Sequence, residues 1–138
     1  MHSENDRLVR SEHLNHHGTL FAGTVASWFV ETCFTAAARL VGRTDSVVCL
    51  KIHGLRFDMP CHPGDLFKIE ARVAYVGRTS IRVHGRAYRN SETRAVTEGF
   101  VTFVTVDENG TKMEHGAKLP PPKDDYESVL RSQAEAIR

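Results

Sequence analysis

The chain has 138 residues, with 18 Lys and Arg against 17 Asp and Glu, for a formal net charge of +1. That length supports one domain with a real core and leaves no room for a second. The near-neutral balance excludes the basic footprint of a general nucleic-acid binder, so no nucleic-acid partner is expected. No membrane span is expected either: Ser27, Glu31 and Arg39 interrupt the longest apolar run, and a span needs about 20 apolar residues.

The first dozen residues, MHSENDRLVRSE, are polar and lack the apolar region of a signal peptide. They read as a loose arm with at most a short strand near Leu8 and Val9. Cys33, Cys49 and Cys61 are scattered and form no CxxC pair. Reduced thiols in a cytoplasmic protein are therefore expected.

Residues 21–41 are predicted to be a helix closed by Gly42, the residue type favoured where a helix ends in the left-handed conformation. Thr24, Ser27, Glu31 and Thr35 share one narrow polar stripe of that helix. Val25, Trp28, Phe29, Cys33, Phe34 and Leu40 surround the stripe. A helix this apolar is buried on most sides, so its one carboxylate, Glu31, is expected to face a cleft or a partner subunit.

Strands follow. Residues 46–57 are rich in Val, Leu and Ile, and the turn at Pro63-Gly64-Asp65 comes next. Residues 66–76 alternate, with Phe67, Ile69, Ala71, Val73 and Tyr75 expected inward. Residues 79–89 alternate again around Ile81, Val83 and Ala87. A hairpin turn at 90–93 leads into a last long strand, 94–106. Strands joined by such short turns must form an antiparallel meander. Beyond Pro120-Pro121-Pro122, Asp124 or Asp125 caps a final amphipathic helix with Tyr126, Val129, Leu130, Gln133 and Ile137 on one side. The class is therefore α+β, a long central helix wrapped by one face of an antiparallel sheet. Residues 1–122 form the domain and 123–138 the appended helix. A small sheet leaves edges and apolar rims, so self-association is expected.

The chemistry gathers in HLNHHGTLFAGTVASWFVE, residues 13–31. Gly18 and Gly23 let backbone approach a ligand without an intervening Cβ. A helix start aims unpaired N–H groups at that ligand, and Asn15 and Glu31 bracket the place where it would sit. His13, His16 and His17 lack further ligands at convincing spacing, so no metal is expected.

This stretch resembles the hotdog-fold acyl-CoA thioesterases, specifically the acyl-CoA hydrolase branch. The likeness rests on Asn15-x-x-Gly18, Ala22-Gly23 at the helix start and an acid two turns in, Glu31. Pro63-Gly64-Asp65-Leu66, Gly77-Arg78-Thr79-Ser80 and Phe103-Val104-Thr105-Val106-Asp107 extend it to roughly residues 8–122. The family often has a second glycine where Ala22 stands and an aspartate where Glu31 stands. It also often has a basic residue where Asp58-Met59-Pro60 runs; Arg56 is the nearby cation that would take over its contact.

The resemblance implies hydrolysis of acyl-CoA to free acid and coenzyme A by a homodimer, or by a tetramer or hexamer built from dimers. Coenzyme A is part of the substrate, and no separate cofactor is implied. Backbone N–H groups at Ala22 and Gly23 would stabilise the oxyanion. Glu31 would act as general base or nucleophile. Asn15, supplied by the other subunit, would hold the water or the carbonyl. Arg78 with Thr79 and Ser80 would meet the coenzyme, and Phe21, Trp28, Phe29 and Phe57 would line the acyl slot. Two alternatives stand beside this: a hotdog dehydratase or hydratase using His17 and Glu31, and a non-catalytic acyl-CoA-binding module.

Overall fold

A computed structural model describes residues 2–137. Along them run β1 (His2–Leu8), a 3-10 turn (Ser11–His13), α1 (Ala22–Val41), β2 (Val47–Phe57), β3 (Leu66–Val76), β4 (Ser80–Arg89), β5 (Ala95–Thr105) and α2 (Asp125–Glu135). The five strands make one sheet in the order β1-β3-β4-β5-β2, every neighbouring pair antiparallel. The expected meander is its centre. The expected loose arm is instead a full edge strand, in register from His2 opposite Arg72 to Leu8 opposite Leu66. Its sequence is too polar to show an apolar period. The ladder holds it, because β3 has backbone groups to satisfy on that side.

α1 lies on the inner face of the sheet and ends where expected, with Gly42 at φ 89° donating its N–H to Ala38 at 2.7 Å. Phe29, Cys33, Ala36 and Ala37 are fully buried and belong to one core with Phe67, Ile69, Val83, Val101 and Phe103. The helix comes this close because Gly85, opposite Gly99 in register, leaves a notch in the sheet. A Cβ at Gly85 would sit 2.5 Å from Phe29 Cε2 and 3.0 Å from Cys33 Sγ. Neither side chain has room to retreat. Gly85→Ala is therefore expected to lose about 1–3 kcal/mol through overpacking, seen as a lowered midpoint in urea with an unchanged slope.

α2 packs on the opposite, outer face. Leu130 and Ala134 are buried against Ala74, with Tyr75 and Phe100 beside them. Tyr75 was expected in the main core, but the β3–β4 ladder slips between Val73 and Tyr75 and Tyr75 joins the α2 cluster. Asp124 caps α2 as expected, its Oδ1 accepting the Glu127 N–H at 2.9 Å. Among the described residues no helix is long and apolar enough to cross a membrane.

Candidate active site

The chain enters α1 through a small closed loop. Leu14 and Leu20 form a bridge, Asn15 N–H donates to the Thr19 carbonyl at 2.7 Å, and Gly18 turns at φ 79°. Leu20 N–H donates to the Cys61 carbonyl at 2.9 Å, tying this loop to the segment between β2 and β3. Phe21, the residue before the helix, has extended backbone and offers no side-chain cap. Thr24 and Val25 both donate to the Phe21 carbonyl, at 3.0 and 3.1 Å, whereas no acceptor among the described residues takes the Ala22 and Gly23 N–H groups. Two adjacent donors at the positive end of a twenty-residue helix are thus left for something outside the chain. A Cβ at Gly23 would lie 2.5 Å from Phe21 Cε2, so a larger residue there would push aside the exposed Phe21 ring.

Asn15 lies in the loop that leads into α1, with most of its capacity already used. Its Oδ1 accepts from the N–H groups of His17 (2.9 Å) and Thr19 (3.2 Å), and its Nδ2 donates to Thr19 Oγ1 at 3.0 Å. Those two backbone donors fix which end of the amide is oxygen. One amide N–H remains, so towards a ligand Asn15 acts as a donor. His17 is exposed at the tip of the same loop and stacks on His16 at 3.9 Å between ring centroids.

Glu31 lies about 13 Å further along the helix axis, nine residues at 1.5 Å each. Glu31 is exposed and faces a cleft, as expected of the one carboxylate on this apolar helix. It borders an open groove of ≈ 250 Å³ with Ser3, Asn5, Arg7, Thr35 and Arg39. Within one chain it lies well beyond the Ala22 and Gly23 donors along the helix.

The other expected residues lie elsewhere. Arg56 is committed to Glu98 at 3.0 Å and to Asp58 at 3.6 Å, and Glu98 also holds the buried His84 at 2.8 Å. Arg78, Thr79 and Ser80 form the β3–β4 turn. There Arg78 is free in solvent apart from Glu114 at 3.6 Å, and Thr79 accepts the Thr105 N–H at 2.8 Å. Thr105 pairs with Val47, so this turn sits at the start of β2, while Phe57 at its end borders the start of α1. Eleven residues of strand, about 35 Å, separate the two ends.

The apolar slot also differs from expectation. Trp28 packs against His13, Phe67 and the Arg7 guanidinium, and Phe29 fills the Gly85 notch, so neither is available to a ligand. A crevice does open at the start of α1, bounded by Leu20, Ala22, Val25, Phe57, Met59 and Phe67 among others. Of the four residues expected to line it, only Phe57 does. No apolar period marks Met59, which sits in a loop, and the sequence gives no sign of it.

A five-stranded antiparallel sheet curled around one long helix, with an open helix start at its rim, is a hotdog fold. The family model of the thioesterase superfamily matches residues 17–96. The chain is 29% identical over 122 residues to acyl-coenzyme A thioesterase 11 of Mus musculus, covering 85% of this chain and 20% of that protein. It thus spans about a fifth of the length of that relative. It resembles an apo-hexameric acyl-CoA thioesterase with TM-score 0.87 and 30% identity, over 98% of this chain and 86% of the other. It also resembles the acyl-CoA hydrolase of Staphylococcus aureus, solved with butyryl coenzyme A and coenzyme A. There the TM-score is 0.85 and the identity 25%, over 97% and 79% of the two chains. The chain belongs to the thioesterase superfamily.

Proposed function

We propose that this protein hydrolyses acyl-CoA thioesters to free acid and coenzyme A, in sites shared between two copies of the chain. The observation that carries it is the uncapped start of α1, where the Ala22 and Gly23 N–H groups have no acceptor among the described residues and an apolar crevice opens beside them. A thioester carbonyl on those two donors would have its developing oxyanion stabilised by groups already in place. Water adds to the carbonyl carbon as Glu31 accepts its proton. The C–S bond then breaks, and the coenzyme A thiolate leaves with that proton returned to sulfur. Asn15 Nδ2–H orients the water or the carbonyl.

Sharing the site between copies follows from two features. Glu31 sits roughly 13 Å along the helix axis from the donors at the start of α1, and the Arg78 turn lies at the opposite end of β2 from that start. Antiparallel β2-to-β2 pairing about a twofold axis brings the start of one β2 to the end of the other. The Arg78–Ser80 turn of one copy then flanks the α1 start of its partner, where it can meet the coenzyme phosphates. The names of the mouse and Staphylococcus relatives and of the hexameric neighbour support the activity and the homo-oligomer. Variants of the Staphylococcus hydrolase replace an asparagine and an aspartate fifteen residues apart with alanine. In this chain Glu31 comes sixteen residues after Asn15, and Val30 holds the fifteenth position.

The direct test is thiol release from acyl-CoAs between acetyl and palmitoyl, with enoyl-thioester absorbance followed in parallel. Thiol release without enoyl formation is expected. Enoyl formation alone would assign a dehydratase, and tight binding with neither product would assign a binding module.

A further inference from the structure

We infer that the groove between β1 and α1 is an oxyanion-binding site anchored on Arg7, placed to take a carboxylate carried on the acyl group of the substrate. The assignment to the acyl group rests on the acyl-CoA reading above. β1 turns Ser3, Asn5 and Arg7 toward α1 and leaves Glu4 and Asp6 exposed on its other face. A strand face turned to a core helix is normally apolar, so these polar side chains need partners. Among the described residues, the one side-chain hydrogen bond joining the two walls runs from Arg39 to the His2 carbonyl, at 3.3 Å. Ser3 is only 4% exposed, and Arg7 Nε is shut off from solvent with no acceptor among the described residues. Arg7, Arg39 and Glu31 form no ion pair among the described residues. Glu4, at the rim, is already held by Lys68 at 3.7 Å.

Arg7 is held ready for a ligand. Its guanidinium lies 5.1 Å from the centre of the Trp28 ring, a cation–π contact that restrains its plane. A planar fork restrained in this way and left unpaired matches the oxygens of a carboxylate or a phosphate. β1 runs antiparallel to α1 here, with Arg7 at Trp28 and His2 at Arg39. Glu31 is three residues from Trp28 and eight from Arg39, about 4.5 Å and about 12 Å along the helix axis. It therefore shares the Arg7 end of the groove. Arg7 and Glu31 line one groove without pairing with each other. An acyl carboxylate on Arg7 and the attacking water on Glu31 satisfy both. In the shared site Glu31 serves the carbonyl held on its partner's donors, so this groove opens beside that carbonyl.

The experiment measures kcat/KM for glutaryl-CoA against valeryl-CoA and for adipoyl-CoA against hexanoyl-CoA, pairs that match in carbon number and differ in the terminal carboxylate. Wild type, Arg7→Met and Arg7→Lys are compared, and calorimetry follows binding of glutaryl-CoA, glutarate and inorganic phosphate to each. Wild type is expected to prefer the carboxylate-bearing member of at least one pair by at least about tenfold, the scale of a hydrogen bond to a charged group. Arg7→Met should erase that preference, and Arg7→Lys, which keeps the charge and loses the fork, should keep only part of it. A purely structural role of Arg7 on Trp28 would lower both members of a pair alike and leave the ratio unchanged, which would overturn the proposal. Melting curves identify a variant that fails to fold, and the other then decides. Ratios near one together with no Arg7-dependent binding of glutarate or phosphate would overturn the site. Ratios near one with glutarate or phosphate binding that Arg7→Met abolishes would uphold the site and assign it to a free anion in place of the acyl group. Arg7-dependent binding of glutaryl-CoA without thiol release from any substrate would overturn the hydrolase reading and leave the groove standing.

Discussion

Asn15→Ala and Glu31→Gln proteins, each having lost at least about 100-fold in thiol release, are expected to recover about a quarter of the wild-type rate when dissociated together and reassociated. The loss is the usual scale for a positioned general base. The recovery follows from symmetry. In the proposed twofold dimer the two sites are equivalent, and each would take one of these residues from each chain. Half of the randomly reassociated dimers are mixed, and a mixed dimer has one site with both native residues and one with neither. No other arrangement of the two residues gives this result. If a single chain supplied the pair, every site in the mixture would stay defective and mixing would restore nothing. A further variant examines the one-residue offset of the acid. One step along a helix turns a side chain by about 100°, so Val30→Asp combined with Glu31→Gln moves the carboxylate to the other flank. Activity in that double variant exceeding Glu31→Gln alone would show that the site accepts an acid from either position. Glu31→Gln with undiminished turnover would remove Glu31 from the mechanism.

What could be read in the sequence depended on whether the deciding force was local. α1, its glycine terminator and the β3–β4–β5 meander follow from apolar period and turn residues, which act within a few positions of each other. β1 does not. Its polar residues are held by a ladder to β3, some sixty positions away, and only the topology reveals it. The Phe67-to-Val73 alternation was legible, but the slip before Tyr75 was not, since a bulge leaves no compositional mark. At the site, Gly23 and the α1 start were visible as a motif. That Asn15 has spent its oxygen on its own loop was not, because an asparagine in a turn and one facing a ligand look alike in sequence. Apolar neighbours around Glu31 pointed to a cleft, and Glu31 does border a groove, while those neighbours bury the other side of the helix and leave the carboxylate exposed. Met59 was invisible for the same reason as β1: its neighbours across the slot come from α1, β3 and β5.

The second large effect is expected at the free edge of β2. The sheet has two edges, and they differ in chemistry. β1 offers His2–Leu8, HSENDRL, to solvent, whereas β2 exposes Val48 (41%), Leu50 (60%), Ile52 (40%) and Phe57 (48%), with Phe21 (53%) near its far end. An uncovered strand carrying large apolar side chains and unpaired backbone groups is a pairing surface. Each such side chain, once fully buried, contributes about 1.5–3 kcal/mol, so a second copy docked here gains several. Leu50→Asp with Ile52→Lys should therefore give a folded monomer by sedimentation and circular dichroism, with thiol release lowered at least about 100-fold. Neither position is proposed to touch substrate, so the loss would come from separating the two halves of each site. Asp6→Asn on the opposite edge should change neither the assembly nor the rate. A β2 variant that sediments as a monomer yet keeps near-normal turnover would show that one chain carries a complete site, and would defeat the shared-site mechanism whatever the mixing experiment gave.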